Sequence, residues 1–311
     1  MIKPDRENAI WMVGGSVTLI LLFLVVFHFY QKQNPAEQLA FKASRVDLVS
    51  RMQLALASAS EAEKSAVLAI TDQDSQKYAG QARTATVEVE KARQEFDNLL
   101  KTGGTKGEKE LFKQFSELFT DFQRIDNNLL DLAVKNTNIK AYNLAFGPAT
   151  TALNEMNTAL SRLIASNSKS PENKKVMLLA YGTEISVLRL QTLIPPHIAE
   201  ESDQKMDELE ALMSKEDKQI RKNLDELTAF RNLNQKANLT EAVLSYAQFS
   251  KIKTQILALS RENTNVKSLS MSLNQKRKVM LLCHDTLNKL QQAVLEEPIA
   301  GVTYGRPARP R

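Results

Sequence analysis

Three histidines, one cysteine and two copies of a polar tripeptide are the residues through which this sequence could do chemistry. His28, His197 and His284 are scattered along the chain. Covalent haem attachment needs Cys-x-x-Cys-His, whereas Cys283 and His284 are merely adjacent. A carboxylate-bridged iron pair in a helical bundle needs Glu-x-x-His on two helices, and neither His197 nor His284 has Glu three residues before it. A single cysteine excludes an internal disulfide framework and a thiolate metal cluster. No nucleophile–base pair and no Gly-rich phosphate loop can be pointed to. The expectation is a non-enzyme with no catalytic residue, no metal and no cofactor.

The most distinctive polar element is Asn136-Thr137-Asn138 and its copy Asn263-Thr264-Asn265. One reading is turn chemistry, since Asn tolerates the left-handed conformation at a helix end and Thr or Asn caps the next helix. The other makes these side chains hydrogen-bonding groups of a ligand site. Lys276 joins them as a candidate because it falls on an otherwise apolar helix seam. It could reach along its stem to water or mark a polar pocket between helices. Cys283 lies on the same seam and reads as a small buried hydrophobe.

The elements that must position these residues are helices. Ten glycines and nine prolines in 311 residues are too few for the turns of an all-β domain. Between Ala36 and Glu297 the prolines are Pro148, Pro171, Pro195 and Pro196. Asn34-Pro35 opens a first helix that runs to about Thr71, and residues 72–75 supply a turn and the N-cap of a second, which ends near Lys101. Thr105 and Glu108 have capping-box spacing for a third. Its apolar positions Leu111, Phe115, Leu118, Phe122, Ile125, Leu129 and Leu132 step by four and three, the seam of an antiparallel bundle.

After the tripeptide comes a fourth seam, Ile139, Tyr142, Phe146, Ala149, Leu153, Met156, Leu160 and Leu163. Shifted by 127 residues it reads Val266, Leu269, Leu273, Lys276, Met280, Cys283, Leu287 and Leu290. The same shift pairs Phe122 with Phe249, and a shift of 128 pairs Arg93 with Arg221. This is a diverged internal duplication. It predicts an all-α protein with two tandem up-down four-helix bundles, residues 34–167 and 168–297, joined at 166–173, where Ser170-Pro171 restarts the helix. The turn from third to fourth helix falls either at Asn136–Asn138, with a kink at Pro148, or at Gly147-Pro148 itself; the first gives helices of matching length.

Ahead of the bundles, residues 9–27 read AIWMVGGSVTLILLFLVVF, an uncharged run long enough to cross about 30 Å of hydrocarbon, with Trp11 and Tyr30 near its ends. No small-residue cleavage site follows, which favours an uncleaved anchor over a signal peptide, with residues 1–33 as tail and anchor. The apolar stretch 176–194 carries Glu184 and Arg189 and is expected to be a buried helix. Residues 298–311 form a basic Pro/Arg tail, and the formal charge of +5, with both signs interleaved, gives no nucleic-acid stripe.

The N-terminal span, the Ala-rich first helix and the segment LLDLAVKNTNIKAYNLA together resemble the four-helix-bundle sensor domain of methyl-accepting chemotaxis receptors. The resemblance covers roughly residues 10–167 and, more weakly, the second copy. It implies a bundle outside the cytoplasm of a bacterial inner membrane, one that binds a small molecule or a partner protein. The sequence departs from the family after the first copy, where a second bundle stands in place of a second span, HAMP linker and signalling hairpin. Aspartate-type receptors use arginines late in the first helix; here that region, residues 55–71, offers only Lys64, so amino-acid binding is not implied. The expected partners are the membrane, a membrane protein and a small-molecule ligand, with no nucleic acid.

Overall fold

The computed structural model describes residues 35–230 and 233–299, and all regular structure among them is helical. The helices are α1 (Pro35–Leu68), α2 (Asp72–Thr102), α3 (Lys106–Ala133), α4 (Thr137–Leu144), α5 (Thr150–Ser166), α6 (Asn173–Ala199), α7 (Asp203–Thr228), α8 (Lys236–Glu262), α9 (Thr264–Met271) and α10 (Arg277–Glu296). One π-helical turn, Ala145–Ala149, links α4 to α5, and another, Ser272–Lys276, links α9 to α10. None of the described helices is long and apolar enough to cross a membrane, and the anchor expected at residues 9–27 lies outside the described residues.

Local chemistry sets most helix ends. Thr71 rather than residues 72–75 caps α2, its hydroxyl accepting from the Asp74 amide at 3.0 Å. The Thr105 hydroxyl accepts from the Glu108 amide at 3.2 Å, as the capping-box spacing predicts. Gly104 makes that turn possible: its φ is 97°, and a Cβ there would stand 2.6 Å from Leu100. Before α6 the Ser170 hydroxyl accepts from the Glu172 amide at 3.2 Å, so Pro171 belongs to the turn and the helix starts two residues later than the sequence suggests.

The turn between third and fourth helices falls at the tripeptide, with Asn136 at φ 52° and Asn263 at φ 56°. Pro148 lies inside a π-turn instead of a break. The second copy makes the same π-turn without proline, at positions shifted by 127 residues, so the duplicated backbone and not the pyrrolidine ring defines it. The extra residue in each π-turn also corrects the fourth seam. Ahead of the turn the buried positions are Asn138, Ala141 and Ala145, one residue before the expected Ile139, Tyr142 and Phe146, and Phe146 is 65% exposed. In the copy Ser268 and Ser272 are buried where Leu269 and Leu273 were expected. From the last residue of the turn onward the expected positions Ala149, Leu153, Met156, Leu160 and Leu163 are all buried. A π-turn shifts helical phase by about one residue, and apolar spacing alone does not register it.

Two compact units result, and neither is a contiguous stretch of sequence. Among the described residues, one combines 35–57, 85–120 and 280–299; the other combines 58–84, 121–230 and 233–279. In the first, α1, α2 and α3 contribute Val49, Met52, Leu56, Val89, Phe96, Phe115 and Phe119 to the buried set. The fourth helix there is α10, which adds Cys283, Leu287, Leu290 and Val294. Gln53 donates to Asn288 at 2.8 Å and Gln291 to Ser50 at 3.0 Å, tying α1 to α10. In the second unit α5 packs on α8 and α6, and α6 on α7, around Leu153, Met156, Leu160, Leu190, Leu224 and Phe249. The sequence repeat, bounded at 34–167 and 168–297, and the packing unit are therefore different divisions of the chain.

α6 buries Val176, Ala180, Val187, Leu190 and Ile194 on one face. Its opposite face, Leu178, Tyr181, Ile185 and Leu188, is exposed. Cys283 is fully buried, and that burial pushes its thiol up to about 12. It should resist thiol reagents in the native state, and Cys283→Ala should cost about 1–3 kcal/mol in urea unfolding. Rapid labelling of the folded protein would place this face of α10 in solvent.

Candidate functional site

All eight candidate residues, Lys64 among them, belong to the second unit, and the six of the two tripeptides meet there. A helix N-terminus leaves backbone amides without acceptors. Neither Asn136 nor Asn263 caps its own helix. Instead the two copies cap each other. The Thr137 amide donates to the Thr264 hydroxyl at 3.2 Å, and the Thr264 amide to the Thr137 hydroxyl at 3.1 Å. The Asn138 amide donates to Asn265 Oδ1 at 3.1 Å, and the Asn265 amide to Asn138 Oδ1 at 3.1 Å. Side-chain amides repeat the exchange, Asn138 Nδ2 to Asn263 Oδ1 at 2.8 Å and Asn265 Nδ2 to Asn136 Oδ1 at 3.0 Å. The N-termini of α4 and α9 are thus held against one another by a local twofold pattern.

The remaining donors reach outward. Asn136 Nδ2 donates to Ser75 Oγ at 2.8 Å and to Asp72 Oδ1 at 3.1 Å, at the start of α2. Asn263 Nδ2 donates to the Glu200 carbonyl at 2.7 Å, just before α7. Glu200 is the counterpart of Asp72 at a shift of 128, but Asn263 meets its main-chain carbonyl where Asn136 meets a carboxylate. Lys140, 3.0 Å away, and then Asn136 hold the Asp72 carboxyl below its usual range. Apart from the half-buried Asn265, the six residues are no more than 4% exposed.

Lys276, the polar exception on the seam, does not reach water. It is 1% exposed, at the end of the second π-turn, and its ammonium pairs with Asp126 and lies 3.6 Å from Glu63 Oε2. The Phe122 ring centroid is 4.4 Å from Nζ, a cation–π contact. Glu63 is fully buried and neither of its carboxylate oxygens has a hydrogen-bond partner. Burial raises its pKa, and the Lys276 ammonium, with Ser272 and Lys64, offsets this only in part, while Asp126 adds to the rise. Two carboxylates share this one ammonium, and burial together with the second carboxylate pushes Glu63 toward its protonated form. Lys64 itself is exposed and makes none of these bonds.

Two polar groups escape a reading by motif. His197, fully buried, shares its Nδ1 with Ser260 Oγ at 2.8 Å and its Nε2 with Glu210 Oε1 at 2.9 Å. Arg261 Nε donates to the same Glu210 oxygen at 2.7 Å. Although burial opposes it, Arg261 and His197 hold Glu210 below its usual pKa. The order serine, histidine, glutamate matches a catalytic relay, but Ser260 is fully buried and its hydroxyl donates to the His197 carbonyl at 3.0 Å. No substrate reaches that oxygen. The corresponding residues of the first copy are Ala69, Ala82 and Ala133, so this network belongs to one repeat alone. In the other unit Arg45 is 2% exposed and pairs with Glu108 and Glu297, and Lys42 donates to the Leu295 and Glu297 carbonyls at 2.6 and 2.7 Å.

Two expectations test the polar layer. Glu63 carries a folded-state pKa raised above the unfolded one, so its favourable share of stability is complete below about pH 4.3 and fades as pH climbs through the raised value. Glu63→Gln, a permanent mimic of the protonated acid, should stabilise the protein by about 0.5–2 kcal/mol at pH 8 and by nothing at pH 4; urea titrations at the two pH values read this out. Thr137→Val and Thr264→Val should couple by about 0.5–3 kcal/mol in a double-mutant cycle, whereas additive losses would mean the copies do not cap each other.

No curated protein matches the chain. Residues 47–175, about the length of one repeat, match a family model, that of the four helix bundle sensory module for signal transduction, the chemotaxis-receptor module that the sequence resembles.

Proposed function

We infer that this chain is a sensor-like recognition module, anchored in a bacterial inner membrane by residues 9–27, with its helical bundles outside the cytoplasm. It binds a small solute or a partner membrane protein and performs no catalysis. The match of residues 47–175 to a sensory module carries this reading. The apolar run ahead of the helices supports the anchor. In this reading the Asn-Thr-Asn layer and Lys276 act as the clasp that fixes the helices, because their donors and acceptors are already engaged within the protein. Solute recognition then falls to grooves between helices.

A second reading, a structural or accessory subunit bracing a membrane complex, is favoured by one observation. The exposed face of α6, with Leu178, Tyr181 and Ile185, borders a groove of about 500 Å3 whose lining is mostly apolar. Exposed apolar patches of that kind mark protein contacts.

A thermal-shift screen of the full chain separates the two. A solute at a hundredfold its Kd stabilises the fold by about 2.7 kcal/mol. A stoichiometric membrane protein that co-purifies, with no stabilising solute, favours the second reading. A reporter fused after Arg311 should be active only outside the cytoplasm, and cytoplasmic activity would overturn the topology.

A further inference from the structure

We propose that the groove between α2 and α3 is a binding site for a small organic anion with an apolar body. The proposal rests on the reading of the chain as a solute-recognition module and names the site and ligand class within it. The groove has a volume of about 450 Å3, within the range of small-ligand pockets. Leu100 and Phe112 form its floor, and Phe112 is fixed by a tilted contact with Phe96 at 5.1 Å between ring centroids. Arg93, Lys101, Lys109 and Lys113 line it against a single acid, Asp97.

The cations fall into two classes. Arg93 is held by both oxygens of Glu90, at 2.7 and 2.8 Å, and Lys101 pairs with Asp97 at 2.8 Å. Their charge is spent inside the protein. Lys109 and Lys113 make no side-chain hydrogen bond or ion pair among the described residues. They stand one helical turn apart, a like-charge spacing that disfavours the helix by a few tenths of a kcal/mol. An anion seated between them removes that repulsion, and Phe112 and Leu100 beneath select a body with apolar surface. Ser116, also in the lining, is engaged within the protein: its hydroxyl donates to the Phe112 carbonyl at 2.9 Å and accepts from Arg93 Nη1 at 3.4 Å, so the two lysines carry the recognition of the anion.

The duplication supplies an internal comparison. At a shift of 127 residues Lys109 is retained as Lys236, but Phe112, Lys113 and Ser116 become Leu239, Thr240 and Val243. The fold does not demand a basic, aromatic-floored groove here, since the second copy builds the same helix pair without one.

Calorimetric titration of the full chain with p-toluenesulfonate tests this, because that anion stays charged at every working pH. Sulfate supplies the head alone and benzyl alcohol the body alone. The expected result is saturable binding of p-toluenesulfonate, tighter than either control. Lys113→Thr, which installs the second copy's residue, should weaken it about tenfold, and Lys236→Thr should leave it unchanged. Equal binding of sulfate, no binding, or indifference to Lys113→Thr overturns the groove as the site. If the thermal-shift screen meanwhile finds another stabilising solute, the recognition function stands and only the groove fails. If the screen also finds none, the solute half of the functional reading fails with it.

Discussion

Two helix N-termini facing each other are an electrostatic problem. Each presents unpaired amides and the positive end of its dipole. The Asn-Thr-Asn pair solves it by using each strand of side chains as acceptors for the other's backbone. Each bond is worth only about 0.5–1.5 kcal/mol net, but an unsatisfied buried amide costs more than a made bond returns. The layer therefore acts as a whole. Its left-handed residues, Asn136 and Asn263, set where α4 and α9 begin, and each of these helices runs on into a π-turn.

Charge is buried on the same seams that carry the apolar core. On α1 the buried series Arg45, Val49, Met52, Leu56, Ala59, Glu63 and Ala66 steps by four and three without interruption, with Arg45 at its start and Glu63 one step before its end. Such groups weaken a core unless paired, and pairing them restricts how helices can associate, because an apolar seam tolerates a slipped register and an ion pair does not. The second π-turn ends on Lys276, whose ammonium meets Glu63 and Asp126, whereas the matching turn of the first copy ends on Ala149.

Much of this was legible in the sequence. The helices, the duplication and the turn at the tripeptide followed from spacing and from the chemistry of asparagine. The cap at Thr105 did too. What stayed hidden has physical causes. Both copies carry the same seam after the tripeptide, so a fourth helix suits either set of three, and pattern alone does not say that α10 joins α1, α2 and α3. On the third helix the expected seam positions Phe115, Phe122, Ile125 and Leu129 are buried, but the face also takes in Phe112, Phe119 and Asp126, one residue after Leu111, Leu118 and Ile125, and apolar spacing does not single out an acid among them. His197 and Ser260 lie 63 residues apart, and no local motif announces their meeting.

Most duplicated positions have been free to part company, as His197, Glu210 and Ser260 show against Ala69, Ala82 and Ala133. The tripeptides have not had that freedom. Asn138 is the environment of Asn265, and Asn265 is the environment of Asn138, so a change in either copy is felt at once as a changed neighbour in the other. Gene duplication ordinarily releases one copy to drift; here the bonding between copies turned six residues into a single inherited character.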